Sequence, residues 1–197
     1  MHLPTRTPRR IVAATALACT AILLPAAALA APSLSAASAA ATAPAVLPTC
    51  ATSALEVWLG VGPGGAAAGS ASYPLEFTNI SHQACTEFGF PGVSAVRNSG
   101  RQIGRAAGRS GTPSSVTLQP GQTANASLQF TDVSNLTSAP CRPINASHLK
   151  IFAPGQFGSS EISGFRFRAC RGRSPGLTFL HVGPLQAGTG VPGFSGA

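Results

Sequence analysis

Arg97, Arg101, Arg105 and Arg109 recur every four residues, interleaved with Gly100, Gly104 and Gly108. Fourfold spacing would line one face of a helix, but glycine at that density opposes helix formation. The stretch reads as a mobile, cationic hairpin and loop. Arg166, Arg168, Arg171 and Arg173 form a second basic group. Arg166 and Arg168 alternate with Phe165 and Phe167, so in a strand they occupy the face opposite the rings. A guanidinium presents a rigid fork of donors that suits phosphate and carboxylate. The chemistry that follows is anion binding, with Arg97, Arg101, Arg105, Arg109, Arg166 and Arg168 as candidate contacts. The competing role is solubility, with arginines blocking edge-to-edge pairing of strands.

Other chemistries lack a constellation. Past the first residues the chain has three histidines, His82, His148 and His181, and one aspartate, Asp132. No G-x-S-x-G elbow is present, and a triad through Asp132 has no support in the spacing. Glycoside hydrolysis needs two facing carboxylates. Glu56, Glu76, Glu87 and Glu161 are scattered, with Glu56 and Glu76 expected at outward, solvated strand positions. Walker, Rossmann and calcium-loop patterns are missing, and the cysteines are spaced far beyond a zinc-type C-x-x-C. The chain is therefore expected to be no enzyme, with no catalytic residue, no cofactor and no metal. Asn79, Asn125, Asn135 and Asn145 match the glycosylation pattern, but Asn79 and Asn125 are better read as turn and strand-face residues.

The elements that must hold these residues are organised around Leu75 to Val93. Leu75 and Phe77 alternate with Glu76 and Thr78, as in a half-buried strand. Asn79 and Ser81 break it, Cys85 anchors it, and Gly89-Phe90-Pro91-Gly92 makes a rigid corner. Charged residues are only 9% of the 197, while Gly (22) and Pro (17) are abundant. That composition favours many turns and few long helices.

Residues 1–30 read as a secretory signal peptide: Arg6, Arg9 and Arg10, an apolar run, then Ala28-Leu29-Ala30 before the cleavage point. A retained membrane anchor, a lipobox ending at Cys19 and a twin-arginine signal are weaker matches. Without those three arginines the formal charge falls from +8 to about +5. This mild basic excess does not single out nucleic acid. Residues 31–49 read as an Ala/Ser/Pro-rich disordered linker, 50–187 as the folded domain and 188–197 as a flexible tail.

Four cysteines then remain: Cys50, Cys85, Cys141 and Cys170. An even number in an exported chain reads as two disulfides. Of the three connectivities, Cys50–Cys85 with Cys141–Cys170 is preferred, because each bridge staples one half of the domain.

Strands are expected from Leu55 to Gly60, Ser72 to Asn79, Val93 to Arg97, Val116 to Leu118, Ala124 to Phe130, Leu149 to Ala153, Phe165 to Cys170 and Leu177 to Val182. Gly62 to Gly69 reads as a loop. Asn98-Ser99-Gly100 should turn a hairpin into Gln102-Ile103, and Pro120-Gly121 signs a type II turn. The fold that accommodates these elements is all-β, an immunoglobulin-like antiparallel β-sandwich with two disulfides.

The order of these features resembles the actinobacterial secreted domain-of-unknown-function family 4232. The resemblance rests on Cys50, Gly69…Tyr73…Phe77-Thr78-Asn79, and Cys85-Thr86 before Gly89-Phe90-Pro91-Gly92-Val93. It continues through Leu118-x-Pro120-Gly121, Ala124-x-Ala126-x-Leu128, Cys141, Leu149…Pro154 and Cys170. Phe90 and Phe130 stand where the family carries tyrosine or tryptophan. The resemblance implies an exported β-sandwich from a high-GC Gram-positive bacterium and assigns no catalytic residue. The functional expectation is a secreted, non-enzymatic domain binding anionic cell-envelope material. Its partner would be an anionic cell-wall polymer or an envelope protein, with no nucleic acid and no membrane span after signal cleavage. The alternative is a structural or protein-interaction module that uses its edge strands.

Overall fold

The computed structural model describes residues 46–60, 65–67, 69–136 and 138–190. The expected signal peptide, the linker up to residue 45 and the tail from residue 191 lie outside the described residues.

The strands are β1 (Leu55–Leu59), β2 (Gly65–Ala67), β3 (Ser70–Asn79), β4 (Cys85–Phe88), β5 (Gly92–Val96) and β6 (Gly108–Arg109). They continue as β7 (Ser115–Leu118), β8 (Thr123–Thr131), β9 (Pro143–Phe152), β10 (Ser160–Cys170), β11 (Leu180–Val182) and β12 (Gln186–Ala187). Helix among the described residues amounts to one turn, Ser138–Cys141, and three short 3-10 turns. The all-β antiparallel sandwich expected from the alternation is the fold that forms. One layer is a sheet ordered β1-β3-β8-β11-β6, with β2 beside β3 and β12 beside β8. Opposite it stand the sheet β10-β9-β5 and the pair β4-β7. Pairing is antiparallel except between β11 and β6, which run parallel.

Alternate residues of strands from both layers meet in one core. Leu75 and Phe77 of β3 and Ala124, Ala126 and Leu128 of β8 join Val93, Ala95, Leu149 and Ile151 of the facing sheet and Val116 and Leu118 of β7. Burying each large side chain contributes about 1.5–3 kcal/mol. The expected turn at Pro120-Gly121 is present: Gly121 has φ 78°, and the Gln122 N–H donates to the Gln119 carbonyl at 2.9 Å. Asn79 ends β3 as expected of a turn residue. Its Oδ1 accepts from the Ser81 N–H at 3.0 Å, while Nδ2 donates to the carbonyls of Gln83 and Leu118 at 2.8 and 3.0 Å. The two disulfides are Cys50–Cys85 and Cys141–Cys170, the preferred connectivity, with Cα–Cα separations of 4.9 and 4.8 Å.

Several expectations are corrected. The stretch read as a loop from Gly62 to Gly69 contains β2, folded onto β3 through a turn at Gly69, whose φ is 83°. The last expected strand shortens to β11, because Pro175 opens a 3-10 turn at Pro175–Leu177. The fold begins before Cys50: Thr49 bridges Thr86, and the Thr86 N–H donates to the Pro48 carbonyl at 2.8 Å. Residues 188–190, placed in a flexible tail, are hydrogen-bonded. The Gly188 N–H donates to the Thr123 carbonyl, Asn125 Nδ2 to the Gly188 carbonyl, and the Gly190 N–H to Glu76 Oε1 at 3.0 Å. That segment covers the outer face of β3 and β8, so Glu76 is buried rather than solvated.

The largest departure is β4. The sequence suggested an anchor and a corner after Asn79, yet Cys85 to Phe88 pairs along the whole of β7. Its side chains invert the usual rule: Glu87 points inward with no exposed surface, and Phe88 points outward at 65% exposure. Neither carboxylate oxygen of Glu87 has a hydrogen-bond partner, and burial raises its pKa from 4.5 to about 8.

Candidate anion-binding site

The arginine-bearing segment after β5 does not hang free. It folds back along β5, with the Arg97 N–H donating to the Arg101 carbonyl at 3.0 Å and the Gly100 N–H to the Arg97 carbonyl at 2.7 Å. Further on, the N–H groups of Ile103 and Ala107 donate to the carbonyls of Ala95 and Val93, each at 2.8 Å. Ile103 is buried and acts as the pin. The loop expected to be mobile from its glycine content is therefore tied to β5 by backbone hydrogen bonds, with Gly100 and Gly104 at its left-handed positions. Gly104, with φ 64°, lies so close to the Cys170 carbonyl that a Cβ there would collide with it.

That approach assembles the site. Cys170 ends β10, and Arg171 and Arg173 follow it immediately. Three contacts fix this second segment: the Cys141–Cys170 disulfide, the Gly172 N–H donating to the Cys141 carbonyl at 3.0 Å, and Arg105 Nη1 donating to the Arg173 carbonyl at 3.1 Å. Arg97, Arg101, Arg171 and Arg173 thereby line one pocket of about 340 Å³ with Gln102. No carboxylate lines it. Four like-charged residues lining one pocket repel one another, and an anion held among them relieves that repulsion.

The six candidate contacts are therefore regrouped. Arg97 and Arg101 enter the pocket, and Arg105 braces its rim. Arg109 sits on β6 against β11 and is not part of it. Arg166 lines an aromatic cleft elsewhere on β10. Arg168 shares a different depression with Asp132. The Asp132 carboxylate is held below its ordinary pKa chiefly by the Ser134 backbone N–H, then by the Ser134 hydroxyl and the charge of Arg168. Asp132 is thus the cap of the 3-10 turn Val133–Asn135. Arg171 and Arg173 were visible as basic residues, but only the Gly104–Cys170 approach unites them with Arg97 and Arg101.

A second grouping of reactive residue types escaped the sequence. Ser147 Oγ lies 2.8 Å from His148 Nδ1, and His148 Nε2 lies 3.8 Å from Glu161 Oε1. Ser147 Oγ also lies 3.3 Å from Asn98 Oδ1, and the direction of its bond with His148 Nδ1 follows the imidazole tautomer. The Glu161 contact is the one base–carboxylate contact within 4 Å among the described residues.

No curated protein and no solved structure shows a significant match to this chain. Residues 50–186, from the first disulfide cysteine into β12, match the family model described as Domain of unknown function (DUF4232), and the chain belongs to that family.

Proposed function

We propose that the chain is an exported, non-enzymatic binding domain whose pocket of Arg97, Arg101, Arg171 and Arg173 takes an anionic group of cell-envelope material. The observation that carries this reading is the convergence of four arginines on one pocket without a carboxylate among its lining residues. Guanidinium forks pair with phosphodiester and carboxylate groups alike, so both polymer chemistries suit the site. Export is supported by the two disulfides, which belong in an oxidising compartment. No described helix is long and apolar enough to cross a membrane.

The test is a pull-down of the full chain, disulfides intact, on isolated bacterial envelopes over a salt series. Binding is expected to fade with salt, since exposed charges are screened over about 8 Å at physiological ionic strength. The variant Arg97→Ser/Arg101→Ser/Arg171→Ser/Arg173→Ser should lose roughly tenfold or more in affinity, while Arg109→Ser should match the parent. Binding indifferent to both salt and the fourfold variant would overturn the proposal and favour a protein-interaction module.

A further inference from the structure

The inward faces of the large sheet do not end where the sealed core ends. On β3 the buried Leu75 and Phe77 are succeeded on the same face by half-buried Tyr73 and Ala71. On β8 the buried Ala126 and Leu128 lead to half-buried Phe130, and on β1 the buried Leu55 leads to half-buried Leu59. At this end the opposing β10 departs from its partner. Ser163 pairs with His148 and Phe167 with Ala146, so Gly164, Phe165 and Arg166 bulge out of register opposite Ser147 alone. Gly164 has φ 93°, which permits the bulge. The result is a cleft of about 460 Å³ between the layers, continuous in face with the core. Its rings are ordered: Phe130 meets Tyr73, Phe165 and Phe167 edge-on at 5.6, 6.2 and 5.1 Å, and Phe165 stacks on Phe167 at 5.2 Å.

Arg166 is the one charged residue among those lining the cleft. The other lining residues are apolar, aromatic or small, apart from the hydroxyls of Tyr73 and Ser163. A neutral apolar guest would leave the arginine unanswered, and a bare anion would leave the rings wet. We infer that this cleft is a second binding site, distinct from the arginine pocket, for a free single-chain amphiphile with an anionic head group. The chain would lie against Phe130, Phe165 and Tyr73 in continuation of the core, and the head would meet Arg166 at the lip. The size lies within the range of small-molecule sites.

The probe is a series of monoalkyl phosphates, six to ten carbons long, titrated calorimetrically into the full chain below their micelle concentrations. Affinity should rise about fourfold per methylene until the cleft is filled. Inorganic phosphate should bind the cleft undetectably. Ala71→Phe, which fills the cleft from β3, should abolish the chain-length-dependent part of alkyl phosphate binding. Arg166→Gln, an exposed change that spares the fold, should weaken the decyl phosphate about tenfold and leave decanol unaffected. Arg171→Ser/Arg173→Ser should leave the series within about twofold of the parent, which separates this site from the arginine pocket. Affinity independent of chain length, decanol binding as tightly as decyl phosphate, or an Arg166→Gln variant indistinguishable from the parent would each overturn the inference.

Discussion

The two disulfides staple regions that treat charge in opposite ways. Beside Cys50–Cys85, strand β4 turns an acid inward, and Glu87 lies buried without a hydrogen-bond partner. Beside Cys141–Cys170, the chain turns bases outward, and Arg97, Arg101, Arg171 and Arg173 share a pocket without a counter-charge. Burial resolves the first problem by protonation, since desolvation penalises the ionised form. Exposure leaves the second open, since guanidinium does not give up its proton. One region is thus sensitive to pH and the other to salt and anions.

Removing the disulfides one at a time should break this symmetry most visibly. Each double Cys→Ser replacement is expected to cost about 3–4 kcal/mol in denaturant unfolding, because the closed loops are of similar length. Only Cys141→Ser/Cys170→Ser should also weaken anion binding, because only that bridge fixes Arg171 and Arg173. Equal effects of the two replacements on binding would contradict the division.

The pH response of the first region is the next largest effect. The folded chain keeps a proton on Glu87 that the unfolded chain releases above its ordinary pKa of 4.5. This group's contribution is therefore fully present below about pH 4.5 and declines as pH rises to about 8, by up to about 1.4 kcal/mol per pH unit. Urea midpoints measured across that window should fall for the parent and stay flatter for Glu87→Gln. A parent no more pH-dependent than the variant would show that Glu87 ionises freely.

The smallest expected effect lies beside the second disulfide. Arg142, between Cys141 and Pro143, has φ 49°, a left-handed conformation that disfavours a long side chain. Arg142→Asn should stabilise the fold by about 0.5 kcal/mol and leave anion affinity unchanged, since Arg142 does not line the pocket. Thermal unfolding compared with a binding titration separates the two.

Much of the frame was legible because local pattern and tertiary burial agree. Ala124, Ala126 and Leu128 alternate with polar residues and do point into the core, and Pro120-Gly121 forms the turn that its residues require. The disulfide pairing followed from stapling each half. Strand β4 was illegible because Cys-Thr-Glu-Phe places its acid inside and its ring outside. Gly65-Ala66-Ala67 carries no strand signal, and β2 pairs only because the turn at Gly69 returns it to β3. The site was half legible. Spacing of four residues between arginines has meaning on a helix, and this backbone is not one. What unites Arg101 with Arg171 is a glycine small enough to lie against the Cys170 carbonyl, a contact between distant positions that no local pattern records.

The placement of β11 and β12 has a temporal consequence. Both complete the central strand β8, and Gly190 closes over Glu76. A chain emerging from a ribosome or a translocon cannot finish this sandwich until β10, β11 and β12 have appeared, because they supply the partners of β9 and β8. Until then β8 presents an unpaired edge, and the nascent polymer stays open. A domain built this way stays threadable until its own C-terminal strands arrive, and only then takes its shape.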